Sequence, residues 1–135
     1  MLAGGAGRRF GGPKAVVRLG GRTLVERAVG ELLPRCGRVV VASRAGVPLP
    51  PLPVPVVLDR PGPDCPMNGL ATALAALHAD DVLVLGCDLP LAGPLLDALG
   101  AQVVEDEGSG AALLNVNTPS DLARAMRILR EPALS

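Results

Sequence analysis

Residues 2–14 read LAGGAGRRFGGPK, and the reading of this stretch decides the fold. It carries five glycines, two arginines and a lysine. Glycine tolerates φ > 0 and lets backbone N–H groups come within bonding distance of a bulky anion, while Arg8, Arg9 and Lys14 bring positive charge to the same turn. A flexible glycine-rich tail would not carry ordered Arg and Lys spacing, so the stretch is expected to hold phosphate. Two familiar phosphate loops fit it poorly. The dinucleotide fingerprint G-x-G-x-x-G can start at Gly5 and Gly7 but puts Phe10 where the third glycine belongs, and the segment after the next strand lacks the ribose-binding acid. A P-loop has the right glycine spacing from Gly7 to Gly12, yet Pro13 stands in the lysine position and Lys14 in that of the hydroxyl residue.

Outward from the loop, residues 1–3 predict the end of a strand, shorter than the usual five or six residues. Residues 15–19 form a short apolar run that ends at Gly20 and Gly21. Thr23 followed three residues later by Glu26 is a capping box. Leu24, Ala28, Leu32 with Val25, Val29, Leu33 make one apolar stripe, so a helix is expected until Pro34. Residues 39–41, all valine, predict a strand buried on both faces. The proline-rich residues 47–55 read as a rigid connector rather than a free proline-helix ligand, because they lie between two strands. Residues 56–58 predict the next strand, with Asp59 at its end. Asn68 is expected to cap a helix from Gly69 to about His78, whose ring suits the helix dipole. Residues 82–86 predict the strongest strand, ending at Asp88, with a short helix over 91–99 and a short strand over 101–104. Glu105, Asp106 and Glu107 read as a solvated turn. Residues 111–116 predict the final strand, and Thr118, Pro119 and Asp121 start a helix to about Arg130.

Composition narrows the function. At 135 residues the chain is expected to form one domain, with 13 Lys and Arg against 13 Asp and Glu, so charge recognition must be local. Phe10 is its sole aromatic residue, which argues against stacking on nucleic acid bases. No run of about 18 apolar residues occurs, which argues against a membrane span. Cys36, Cys65 and Cys87 are odd in number and lack zinc-ligand spacing, and no secretory apolar region precedes them. They predict small buried thiols in a reducing cytoplasm.

Strands alternating with helices imply an α/β fold, a mainly parallel sheet covered on both faces, in which ligands bind beyond the carboxyl ends of the strands. That rule gathers the glycine loop, Ser43, Arg44, Asp59, Asp88, Asn115 and Asn117 at one edge.

The N-terminal pattern, together with VVVASR, VVLDRPGPDCPMNGLATAL, VLVLGCDLP and NVNTPSDL in that order, resembles the nucleotidyltransferases that activate nucleoside triphosphates. It is most similar to the molybdenum cofactor guanylyltransferases. The resemblance covers nearly the whole chain. It implies a Rossmann-like three-layer αβα nucleotidyltransferase domain over residues 1–135, truncated. It also implies transfer of GMP from GTP to molybdopterin, release of pyrophosphate and use of Mg²⁺, with GTP, molybdopterin and other cofactor-biosynthesis proteins as partners. Carried over by position, Leu2, Ala3, Gly4 and Gly5 would hold the nucleotide, the first three through backbone. Lys14 would contact its phosphates, Asp59 would help select the base, and Asp88 would bind the nucleotide's magnesium. Arg8, Lys14 and Asp88 would form the catalytic set, and Asn115 and Asn117 would lie beside the acceptor.

The chain departs from the family in three places. Pro13 stands where an acid is usual, and Ala42 where an asparagine is. Between Leu99 and Gly100 it lacks strands and a helix that shape the acceptor pocket. Two other readings of the same residues are a related cytidylyl or sugar-phosphate nucleotidyltransferase, and a catalytically incomplete GTP-binding module. A dinucleotide-binding fold would instead set Arg44 against a 2′-phosphate.

Overall fold

Parallel pairing organises the molecule around its first three residues. The computed structural model describes residues 1–3, 8–79, 82–99 and 118–130. The strands β1 (Arg18–Leu19) and β2 (Arg22–Thr23) pair antiparallel, and β3 (Val41–Ser43) and β4 (Val56–Leu58) pair parallel. Leu2 makes parallel bridges to Ala42 on one side and Gly86 on the other. The backbone bonds agree: Ala3 N donates to Ala42 O and Leu2 N to Leu85 O, each at 2.9 Å. The spatial order is therefore β4, β3, residues 1–3, residues 85–87. Chain order reverses across residues 1–3, and ligand crevices in open α/β sheets form at such reversals.

The α/β expectation holds: among the described residues one parallel and one antiparallel strand pair form, with Leu2 bridging to Ala42 and Gly86. The strand read over residues 39–41 lies at Val41–Ser43. The strand read over 82–86 forms only a bridge at Gly86, and Leu83 and Val84 are exposed. An extended apolar run becomes a ladder only where a neighbour supplies backbone partners, and among the described residues that neighbour is Leu2. The strands read over 101–104 and 111–116 lie outside the described residues, as does the acidic turn between them.

Side chains alternate across this row, as the two-residue strand period requires. Met1, Ala3, Val41, Leu85 and Cys87 join one apolar cluster with helix α1 (Leu24–Leu32), Leu96 of α3 (Gly93–Leu99) and Ala125 of α4 (Pro119–Arg130). Val40, Ala42, Leu2 and Val57 join the other with Ala73 and Leu77 of α2 (Pro66–Leu77). The proline-rich connector is not free: Leu49, Leu52 and Val54 pack against the first cluster.

Local signals explain the elements. At α1, Thr23 Oγ1 accepts from Glu26 N at 3.3 Å and Thr23 N donates to Glu26 Oε2 at 2.7 Å, the expected capping box. Thr118 and Asp121 repeat this exchange at α4. Residues 15–19 resolve into a 3₁₀ turn over Lys14–Val16 and strand β1. Gly20 (φ 56°) and Gly21 (φ 82°) turn that strand back into β2, the two positive-φ positions that a tight hairpin needs. Arg27 Nε pins the hairpin to α1 by donating to Leu19 O at 2.6 Å. The expectation for α2 needs correction. The helix starts at Pro66, a residue suited to the first helical position, and Asn68 lies inside it, donating from Nδ2 to Arg60 O at 2.9 Å. His78 closes this helix in the left-handed region at φ 47°.

Candidate functional site

Beyond the carboxyl ends of the parallel segments lies a cavity of about 490 Å³. Arg8 and Lys14 from the N-terminal loop, Leu2 and Ala42 from the sheet, Asp59 after β4 and Asp88 after residue 86 all line it. Asp64, Cys65, Pro66, Gly69, Gly86 and Cys87 complete its wall.

Lys14 and Asp88 meet directly. Lys14 Nζ lies 3.5 Å from Asp88 Oδ2, with the side chains 17% and 29% exposed. The 3₁₀ turn positions the lysine, and a turn in which Leu89 N donates to Gly86 O positions the aspartate. The absence of a side chain at Gly86 matters, because a Cβ there would stand 2.5 Å from Asp88 Oδ1. The carboxylate thus folds back over bare backbone. Just before it, burial and then the Asp88 charge push the Cys87 thiol up to about 12.

Asp59 is held by its backbone N, which donates to Ser43 O at 2.8 Å. Its Oδ1 is buried without a hydrogen-bond partner. A Cβ on Gly69 would stand 3.5 Å from that oxygen and 3.3 Å from Leu2 Cδ2, so α2 packs closely against Asp59 at this position. A buried acceptor left bare is costly, and here it is available to a donor that a ligand brings. Arg44 lies outside the cavity lining but bonds Asp64 through Nη1, tying the loop before α2 to the end of β3.

The cavity therefore offers two cationic side chains and three carboxylates in one place, one of the carboxylates engaged by Arg44. Among the described residues no group of three or more His, Cys, Asp or Glu could hold a metal. Asp88 is still a suitable single ligand for Mg²⁺, which keeps several waters and takes one or two carboxylates plus phosphate oxygens rather than a protein cage.

Of the residues singled out from sequence, Leu2, Arg8, Lys14, Asp59 and Asp88 come together. Ala3 is fully buried, and Ala3 N, Leu2 N and Leu2 O already bond within the sheet, so what Leu2 offers the cavity is its side chain. Arg9 is exposed and does not line the cavity, a correction to its grouping with Arg8. Gly4, Gly5, Asn115 and Asn117 lie outside the described residues. Cys65 corrects the expectation of buried thiols: it is exposed at the cavity wall, Cys36 is half-buried and Cys87 buried, and all three are free. The sequence reading missed Asp64, Cys65 and Gly69 as wall residues because it started α2 too late, and Pro66 was the signal that could have placed them. A larger cavity of about 970 Å³, lined by Met1, Leu32, Val39 and Leu96, lies away from these residues. Its Arg35 and Asp97 are spent on each other at 2.7 Å.

No helix among the described residues is long and apolar enough to cross a membrane. Residues 1–128 match the model of the MobA-like NTP transferase domain. A Chloroflexus aggregans protein named as a probable molybdenum cofactor guanylyltransferase is 36% identical over 105 residues, 76% of this chain and 50% of the relative. Proteins of the same name from Mycobacterium tuberculosis and Mycobacterium ulcerans are 40% and 39% identical, over 79% of this chain and 56% of each relative. The chain thus spans about half the length of the curated relatives it matches.

Proposed function

The chain belongs to the MobA-like NTP transferase domain family, and from that premise we propose that it transfers GMP from GTP to molybdopterin and releases pyrophosphate. Residues 1–135 act as one nucleotidyltransferase-like domain on a Rossmann-like αβα frame, working with other cofactor-biosynthesis proteins in the cytoplasm. Nucleic acid and membranes are not partners. The observation that carries this reading is the meeting of Lys14 with Asp88 at 3.5 Å, in the cavity that also holds Arg8 and Asp59.

In the reaction an acceptor phosphate oxygen attacks the α-phosphorus of GTP, a new P–O bond forms, and the bond to the β-phosphate oxygen breaks. Both reactants are anionic, so the protein's task is positioning and charge cancellation. Arg8 and Lys14 hold the phosphates and stabilise the departing pyrophosphate, Lys14 as a mobile point charge and Arg8 as a planar fork. Asp59 receives N–H donors from guanine on its bare Oδ1, beside Gly69. Leu2 packs against the nucleoside, and Gly4 and Gly5 share the nucleotide-binding role. The acceptor-binding role falls to Asn115 and Asn117. Bound at Asp88, Mg²⁺ supplies positive charge at the reacting phosphate.

A second reading is a guanine-nucleotide-binding module without transfer: the described cavity residues supply groups for a nucleotide, and none of them is assigned to an acceptor. Pyrophosphate release from GTP with molybdopterin present separates the two. Turnover is expected in the wild type and should be abolished in Asp88→Ala, whose circular dichroism stays native. Full turnover in that variant would remove Asp88 from the mechanism, and no turnover in the wild type with GTP bound would leave the binding module.

A further inference from the structure

We propose that Lys14 is the resident cation of Asp88 and must leave before a divalent ion can take the carboxylate, so that metal enters with the nucleotide and not ahead of it. This rests on the reading of Asp88 as the metal ligand. The two charged groups are 3.5 Å apart and only 17% and 29% exposed, so solvent and salt screen them less than a surface pair. Oδ2 faces the ammonium, and Oδ1 lies over the bare backbone of Gly86. An approaching dication meets the ammonium at close range and Arg8 in the same cavity. Asp59 and Asp64 line the same cavity, but among the described residues they do not close with Asp88 into a group of three or more that could hold the ion.

A polyphosphate reverses the balance. It carries several negative charges against one on Asp88, and the long stem of lysine lets the ammonium swing to it. The carboxylate is then bare at the moment phosphate oxygens arrive beside it, and the two together form the donor set Mg²⁺ prefers. Lys14 thereby serves the site twice, as a guard of the carboxylate and as a phosphate clamp.

The test uses Mn²⁺ as probe and the full chain, with free ion read by electron paramagnetic resonance and no nucleotide present. Wild type should retain Mn²⁺ weakly. Lys14→Gln, and Lys14→Met should the first variant fold poorly, should bind it at least tenfold more tightly. Lys14→Arg keeps the positive charge and should stay as weak as wild type, which a role in packing alone would not predict. Adding Asp88→Asn to Lys14→Gln should erase the gain. Wild type binding Mn²⁺ as tightly as Lys14→Gln, or a gain that survives Asp88→Asn, overturns the proposal. Because these arms contain no nucleotide, they are separable from the guanylyltransfer reading: failure of pyrophosphate release with the Mn²⁺ pattern intact would sink that reading and leave the exchange standing.

Discussion

Cys87 sits between the bridge at Gly86 and the carboxylate of Asp88, and its thiol is 4% exposed. Burial, then the Asp88 charge, raises its ionisation from an ordinary 9.0 to about 12. The unfolded chain therefore loses this proton first. Between pH 9 and 12 it binds fewer protons than the folded chain, so stability is full below pH 9 and falls as pH rises through the window. The unfolding midpoint of the wild type should drop more steeply from pH 8 to pH 10.5 than that of Cys87→Ala, and equal slopes would show the thiol is not protected. Cys65, exposed at the same cavity, should react with a thiol reagent in the native protein while Cys87 waits for unfolding. At this scale the site was legible where an aspartate follows a strand, as with Asp59 and Asp88, but not at Ser43 and Arg44, which do not line the cavity. It was not legible where a residue matters for what it lacks, as with Gly86 beneath the Asp88 carboxylate, because that fold-back leaves no mark in local sequence.

Helix α1 shows what a local signal can fix. Thr23 and Glu26 exchange hydrogen bonds across the first turn, and bonds from the Thr23 backbone and then its side chain hold the Glu26 carboxyl below its ordinary range. Its contribution is present above that ordinary range and is lost as pH falls through the lowered value. Thr23→Ala should cost about 1 kcal/mol and lower the melting temperature by roughly 3 °C. A midpoint within 1 °C of wild type, an order-of-magnitude margin of about 0.3 kcal/mol, would mean the helix start is held by packing alone. Helices α1 and α4 were readable because cap, first-turn acid and apolar stripe lie within a few residues. Strand extents were not, since a strand depends on partners distant in the chain: residues 82–85 have strand composition but form no ladder among the described residues. The β1–β2 hairpin was missed although Gly20 and Gly21 announce it, because two-residue strands carry no periodicity to detect.

The cavity is a property of the whole molecule: Leu2, Arg8, Lys14, Asp59, Gly69 and Asp88 approach one another only because the chain reverses direction of build across residues 1–3. Pattern alone could reach the carboxyl edge of a parallel sheet, but not its width or which wall α2 would supply. The same dispersion ties ligand binding to folding. An unfolded chain holds no part of the site, so binding free energy becomes stability. GTP with Mg²⁺ at one hundred times its dissociation constant should stabilise the fold by about 2.7 kcal/mol, which for a chain of this size raises the melting temperature by roughly 10 °C. CTP and ATP at the same concentration should shift it less, because the bare Oδ1 of Asp59 accepts hydrogen bonds and guanine presents two neighbouring N–H donors to it. Equal shifts by GTP and CTP would remove Asp59 as the selector of the base. An Asp59→Asn variant that loses the difference between bases, while keeping the smaller shift common to all three nucleotides, would assign the difference to that oxygen and the common part to Arg8 and Lys14.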